Sequence, residues 1–97
     1  MRTFYSDYIN HCLRFYSRHS DPEFKSVADR ENWFACDRAI KHFDEDKKEI
    51  ILSLYIGGDT LADNIYNASK NFNVKQESIW SLVTELEKRV AYERGLI

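Results

Sequence analysis

The stretch that decides the fold is residues 65–83, which read IYNASKNFNVKQESIWSLV. Apolar residues recur at helical spacing on both sides of Asn73. They are Ile65, Ala68, Phe72, Ile79, Leu82 and Val83. Asn accepts the left-handed backbone conformation better than any residue except Gly, so Asn73 is predicted to end one helix sharply. The stretch therefore predicts two short helices that cross at a tight turn, which is the layout of a helix-turn-helix.

Two helices are predicted before this stretch. The first runs from about Thr3 to Arg18 and ends before the Ser20-Asp21-Pro22 segment, because proline disfavours helical geometry in the residue that precedes it. Its apolar side comprises Tyr5, Tyr8, Ile9, Cys12, Leu13 and Tyr16. The second begins at Ser26, and its apolar side comprises Trp33, Cys36, Ile40 and Phe43. Val27 and Phe34 lie off that side, so this helix is expected to contact neighbours on two sides.

Capping residues set the remaining helix boundaries. Asp44 is predicted to cap the third helix, which Gly57-Gly58 ends, and Thr60 is predicted to start the fourth. The fifth helix runs from about Lys75 to Arg94. We therefore expect an all-α fold, a compact five-helix bundle with a C-terminal helix-turn-helix. Residues 1–97 form one domain, with a helical pair in 1–43 and the helix-turn-helix part in 44–97.

Composition limits the compartment and the chemistry. The chain has no apolar run long enough to span a membrane and no signal-peptide pattern, so we expect a cytoplasmic protein whose Cys12 and Cys36 are reduced and buried. The cysteines and the three histidines lack the spacing of a metal site, and no phosphate loop or nucleophile motif is present. The sequence therefore predicts neither a catalytic site nor a metal or other cofactor.

A surface for DNA is predicted on the fifth helix. If its apolar residues face inward, its opposite side can reach base edges and phosphates, with help from two arginines of the first helix. The predicted DNA-contacting residues are Gln76, Trp80, Ser81, Thr84, Lys88, Arg14 and Arg18. The net charge of −2 is unusual for such a surface, because DNA-binding domains gain most of their affinity by neutralising phosphates. The charge also divides unevenly: seven Lys/Arg against ten Asp/Glu lie in residues 44–97.

One family shares these features. The segment from about Phe43 to Arg94 resembles the C-terminal helix-turn-helix domain of bacterial sigma factors, which reads the −35 promoter element, and the small sigma-like regulators of phages and mobile elements. The matching residues are Lys48–Tyr55, Thr60, Ile65, Ala68, Phe72–Val74, Ile79, Leu86, Lys88 and Arg89. The family usually has Gly where Asn73 stands, and a basic outer edge where this chain has Glu77 and Glu85. The resemblance implies a small transcription regulator that binds promoter DNA, RNA polymerase, or both.

Two other interpretations stay open. An acidic module on the same scaffold could bind a protein, as an inhibitor or adaptor of a nucleic-acid enzyme. Its interface would comprise Trp80, Asp59, Asp63, Glu77 and Glu85. Alternatively, the wide apolar side of the first helix could be the interface of a homodimer.

Overall fold

Five α-helices make up the described part of the chain, which comprises residues 4–19, 23–57 and 59–97 of a computed structural model. They are α1 (Ser6–Arg18), α2 (Val27–Ile40), α3 (Glu45–Ile56), α4 (Leu61–Asn71) and α5 (Gln76–Glu93). The predicted all-α, five-helix class is confirmed. The predicted start at Thr3, the terminating segment at Ser20, Asp21 and Pro22, and Gly58 lie outside the described residues.

Three of the helix starts have the side-chain caps that the sequence predicts. Ser26, Asp44 and Thr60 each accept a hydrogen bond from the backbone N–H three residues later. Each bond satisfies one of the donors that a helix start leaves without a partner inside the helix. By contrast, Tyr5 and Lys75, which precede α1 and α5, provide no side-chain cap.

The chain turns sharply between α4 and α5, as predicted. Asn73 has a φ of 54°, and Gly95, which follows α5, is the other described residue with a positive φ, at 82°. The backbone N–H of Val74 reaches back to the carbonyl of Ser69 at 3.1 Å, and the Ser69 hydroxyl donates to the carbonyl of Val74 at 2.6 Å. The first of these bonds gives a partner to the Ser69 carbonyl, which the end of α4 would otherwise leave without one. Together the two bonds fix the point at which α5 starts.

The core lies where the five helices meet. α1 packs on α2, α3 and α5, while α4 packs on α3 and α5. Fully buried side chains come from every helix, among them Leu13, Cys36, Tyr55, Ile65 and Leu86. The Cα radius of gyration is 12.8 Å. No helix in the described ranges is long and apolar enough to cross a membrane.

Polar side chains join the C-terminal end of α5 to α1 and α2. Asn32 is 7% exposed, exchanges hydrogen bonds with the Tyr8 hydroxyl, and accepts one from Arg94 Nε at 2.6 Å. Arg38 donates to the Glu93 carboxylate at 3.1 Å. The end of α5 is therefore held by buried and half-buried hydrogen bonds as well as by apolar packing.

Candidate nucleic-acid interface

The outer side of α5 is the largest predicted site. Ile79, Leu82 and Val83 face the core from its N-terminal half, which leaves the opposite side open. The predicted contact residues Gln76, Trp80, Ser81, Thr84 and Lys88 are all exposed and follow one another along that side. Trp80 is 43% exposed, so it does not belong to the core. The structure thus brings these five residues of the prediction onto one surface, called here the α5 outer face.

The α5 outer face is supported from behind by α3 and α4. Ile50 of α3 and Val74 of the turn lie beside Ile79 and Leu82 along one edge of α5. Ala68 of α4 is almost fully buried, and its small side chain allows α4 to approach its neighbours closely. The N-terminal half of α5 is therefore positioned by its inner side alone.

One hydroxyl of this face is already engaged. Thr84 Oγ1 donates to the backbone carbonyl of Trp80 at 3.0 Å, one helical turn earlier. A threonine hydroxyl has one donor and two acceptor sites, so Thr84 retains acceptor capacity for a base amino group. Gln76 and Ser81 form no hydrogen bond through their side chains within the described part of the chain.

Cations stand at both ends of the face. Lys75 precedes α5, and Lys88 and Arg89 lie about 20 Å further along its axis. None of the three forms an ion pair with another described residue. The acidic residues Glu77 and Glu85 lie between them and are exposed. The span exceeds the width of a DNA major groove, about 12 Å.

Arg14 and Arg18 do not share this surface. Arg14 donates to the carbonyls of Gly57 and Asp59, both at 2.8 Å, and Arg18 donates to Gly57 at 3.1 Å. These two predicted DNA-contacting residues therefore bind the connection between α3 and α4 instead of lying on the α5 outer face. They cover the C-terminal end of α3, where carbonyl groups and the helix dipole favour positive charge. That role leaves fewer of their donors available for phosphate.

The acidic residues of the protein-binding hypothesis fall into two groups. Asp59 and Asp63 lie before and within the first turn of α4, whereas Glu77 and Glu85 lie on α5; all four are exposed. Trp80 borders a groove of about 290 Å³ between α1, α4 and α5. The groove is lined by Ser6, Asp7, Asn10, Leu61, Trp80, Val83, Thr84 and Glu87. Trp80 therefore has both apolar and polar neighbours on the side that faces the groove.

The cysteines are buried thiols. Cys12 and Cys36 are free, and each is at most 1% exposed. Burial is the main cause that raises the pKa of Cys12 to about 11, and burial raises the pKa of Cys36 further. Both groups therefore remain protonated at neutral pH and are poor nucleophiles there. No group of three or more His, Cys, Asp or Glu that could hold a metal ion occurs within residues 4–19, 23–57 and 59–97.

Sequence reasoning missed part of the surface. The predicted set of DNA-contacting residues does not include Lys75 or Arg89, which lie at the start of α5 and directly after Lys88. Adjacency to Lys88 is the sequence signal for Arg89. At helical spacing, by contrast, Lys75 shares the side of Leu82 and Leu86, so periodicity does not place it on the exposed side.

The prediction that α2 contacts neighbours on two sides is confirmed, because α2 packs on both α1 and α5. Val27 and Phe34 are nevertheless 73% and 38% exposed, so they lie largely outside those contacts.

Comparisons with known proteins add no relative. No family model matches the chain, and neither the curated proteins nor the solved structures contain a significant match.

Proposed function

We propose that this chain is a small transcription regulator in which α4, the turn at Asn73 and α5 act as a helix-turn-helix that binds promoter DNA, RNA polymerase, or both. The main support is the α5 outer face. It is an exposed helical side with polar groups at its N-terminal end and, at both ends, cations that pair with no other residue in the described part of the chain. A helix of this kind can enter a major groove with its first residues nearest the bases.

The residues of the face divide by chemistry. Gln76 and Ser81 can exchange hydrogen bonds with base edges, and Trp80 can contact a thymine methyl group. Glu77 can accept a hydrogen bond from a cytosine amino group, which would offset its repulsion from the backbone. Lys75, Lys88 and Arg89 supply phosphate contacts that orient the helix without reading sequence.

Salt dependence is the signature to measure. Three phosphate contacts predict a slope of log affinity against log salt of about −2.7, because each neutralised phosphate contributes about −0.9 on duplex DNA. A fluorescein-labelled duplex of mixed sequence, titrated with the full chain at several low salt concentrations, gives this slope from anisotropy. Lys88→Glu should weaken binding to every duplex tested, since it replaces a phosphate contact with a repulsion.

The matched control is Lys25→Glu. It makes the same change in net charge at an exposed position of the segment between α1 and α2, which is not part of the α5 outer face. Lys25→Glu should retain most of the affinity that Lys88→Glu loses. No salt-dependent binding at low ionic strength, or equal losses in both variants, would contradict the DNA-binding proposal.

The second candidate is the acidic protein-binding module, an inhibitor or adaptor of a nucleic-acid enzyme. The half-exposed Trp80 beside the α1–α4–α5 groove favours it, because tryptophan is enriched where interfaces gain most of their energy. Trp80→Ala would then abolish partner capture from a nuclease-treated bacterial lysate while the circular dichroism spectrum stays unchanged. Duplex DNA would not compete with that partner.

A further inference from the structure

A second surface lies at the other end of α5 from the turn at Asn73. Val27, Arg30, Phe34 and Arg38 form a stripe along α2, and Tyr92 of α5 closes it on one side. Eleven residues separate Val27 from Arg38, so the stripe is about 16 Å long. The open groove between these residues has a volume of about 780 Å³. We call it the α2–α5 groove.

Large apolar side chains are exposed in the α2–α5 groove without a covering helix. Val27, Phe34 and Tyr92 are all exposed, and Tyr92 is 63% exposed. Phe34 is supported from below, since its ring centroid lies 5.2 Å from that of Trp33 and 5.9 Å from that of Phe24. Exposed aromatic residues beside arginines are the composition that protein interfaces favour at their centres.

The charge of the groove is positive, in contrast to the chain as a whole. Two of its arginines are neutralised in place: Arg38 pairs with Glu93, and Arg94 pairs with Glu31 at 3.2 Å. Arg30 is exposed and forms no ion pair with a described residue. The groove therefore keeps an excess positive charge in a chain whose net charge is −2. This charge favours an acidic partner.

The walls of the groove are held in place before anything binds. Arg94 donates to Asn32 at 2.6 Å while it pairs with Glu31, and Arg38 bonds both the side chain and the carbonyl of Glu93. Because these side chains are already ordered in the free protein, binding a partner would cost less conformational entropy.

We propose that the α2–α5 groove binds an acidic amphipathic helix of a partner protein. The apolar side of the partner helix lies on Phe34 and Tyr92. The carboxylates of the partner helix reach Arg30 and the exposed edge of Arg38. A helix fits the length and open shape of the groove, with anchors spaced three and four residues apart. Nucleic acid fits less well, because Arg30 is the one arginine of the groove without an ion pair to a described residue, and nucleic-acid affinity depends on neutralising several phosphates. This surface and its partner are independent of the DNA-binding proposal.

A peptide selection tests the inference and does not require the partner to be identified first. A phage-displayed library of random peptides of about 12 residues, the helical length of the groove, is selected against the full chain. We expect the enriched peptides to carry Asp and Glu on one helical side, and aromatic or aliphatic residues at spacings of three and four on the other. Fluorescence anisotropy then gives the affinity of an enriched, labelled peptide.

Surface variants locate the bound peptide. Arg30→Glu and Tyr92→Ala should each weaken the peptide at least about tenfold, as expected for central interface residues. Lys25→Glu and Tyr66→Ala are the controls, because they make similar chemical changes at exposed positions outside the groove, and they should leave the affinity within about twofold. Circular dichroism checks that each variant keeps its helix content.

Four results would overturn the proposal. One is a selection that enriches nothing, and another is a set of enriched peptides without an acidic side. A third is binding that Trp80→Ala removes but Tyr92→Ala does not. The fourth is occupation of the groove by something else, shown by duplex DNA that loses affinity in Phe34→Ala, or by self-association of the chain that Phe34→Ala abolishes. Tyr92 is not used for this comparison because it also lies beside Lys88 and Arg89. Unchanged duplex binding in Phe34→Ala keeps this test separate from that of the proposed function.

Discussion

The two halves of α5 differ in what holds them. In the C-terminal half, Leu86, Val90 and Ala91 are buried to 1% exposure or less, and Arg38 and Asn32 bind the end of the helix through side-chain hydrogen bonds. The N-terminal half begins without a side-chain cap and buries its inner side alone. The C-terminal half is thus tied to α2 by hydrogen bonds as well as by packing, whereas the exposed side that we propose for DNA begins in the N-terminal half and extends to Lys88.

The largest expected effect compares leucines from the two halves. Leu86→Ala should destabilise the fold by about 3 to 4 kcal/mol, because it leaves a cavity at a fully buried position. Leu82→Ala removes the same atoms nearer the open side, where surroundings and solvent can fill the space, so about 2 kcal/mol is expected. Urea unfolding followed by circular dichroism measures both values. Equal losses would show that the two halves are packed equally well.

Next in size is the polar junction at the end of α5. Asn32→Ala removes the acceptor of Arg94 and the partner of Tyr8, so both groups lose hydrogen bonds in half-buried surroundings. We expect a loss of about 2 kcal/mol of unfolding free energy. Asn67→Ala, at an exposed position of α4, is the matched control and should change stability by less than about 0.5 kcal/mol. A neutral Asn32→Ala would mean that apolar packing alone holds this end.

The stability contributed by Asp37, which joins α2 to α1 through a hydrogen bond from Tyr16, should depend on pH in the acid range. Burial alone would raise the pKa of Asp37, but hydrogen bonds from Lys41 and Tyr16 outweigh burial and lower it. A lowered pKa stabilises the fold above the carboxyl's unfolded-state pKa, and that stabilisation is lost as the pH falls through the folded-state pKa. Asp37→Asn should cost about 1 to 2 kcal/mol at pH 7.

Denaturant midpoints across the acid range test the sign of this effect. The difference between wild type and Asp37→Asn should shrink as the pH falls below the ordinary range of an aspartate. Glu23→Gln, at an exposed position before α2, should show no comparable trend. A stability difference between wild type and Asp37→Asn that grows on acidification would contradict a stabilising role for the ionised Asp37 carboxylate.

The smallest effect concerns the turn that starts the N-terminal half. Asn73→Ala should lower the free energy of unfolding by about 1 kcal/mol, because the Cβ of alanine disfavours the left-handed region in which Asn73 lies, with a φ of 54°. Asn73→Gly should be close to neutral, because glycine has no Cβ. Asn71→Ala, within the last turn of α4, is the control and should change stability by less than about 0.5 kcal/mol. Thermal unfolding of the three variants would show whether the conformation of Asn73 matters to the fold.

Local chemistry made much of this fold predictable. The caps at Ser26, Asp44 and Thr60 depend on residues three positions apart, and the bend at Asn73 depends on a preference of one residue, so a sequence displays them directly. The exposed side of α5 followed from the spacing of its apolar residues.

Long-range polar contacts could not be predicted in the same way. Arg14 reaches carbonyls 43 and 45 positions later, and Asn32 meets Arg94 across 62 positions. Periodicity identifies which side of a helix is polar, but it does not reveal which helix end lies against that side. For the same reason, periodicity separates Val27 and Phe34 from the main apolar side of α2 but does not reveal that both remain exposed beside α5.

The proposal that the α5 outer face binds DNA is tested most directly by backbone amide NMR shifts, recorded as a mixed-sequence duplex is added to the full chain at low ionic strength. We predict salt-sensitive changes concentrated in residues 73–89, while Arg30, Phe34 and their neighbours on α2 stay unchanged. An absence of changes, or changes that follow α2 instead of α5, would contradict the assignment of the α5 outer face to DNA.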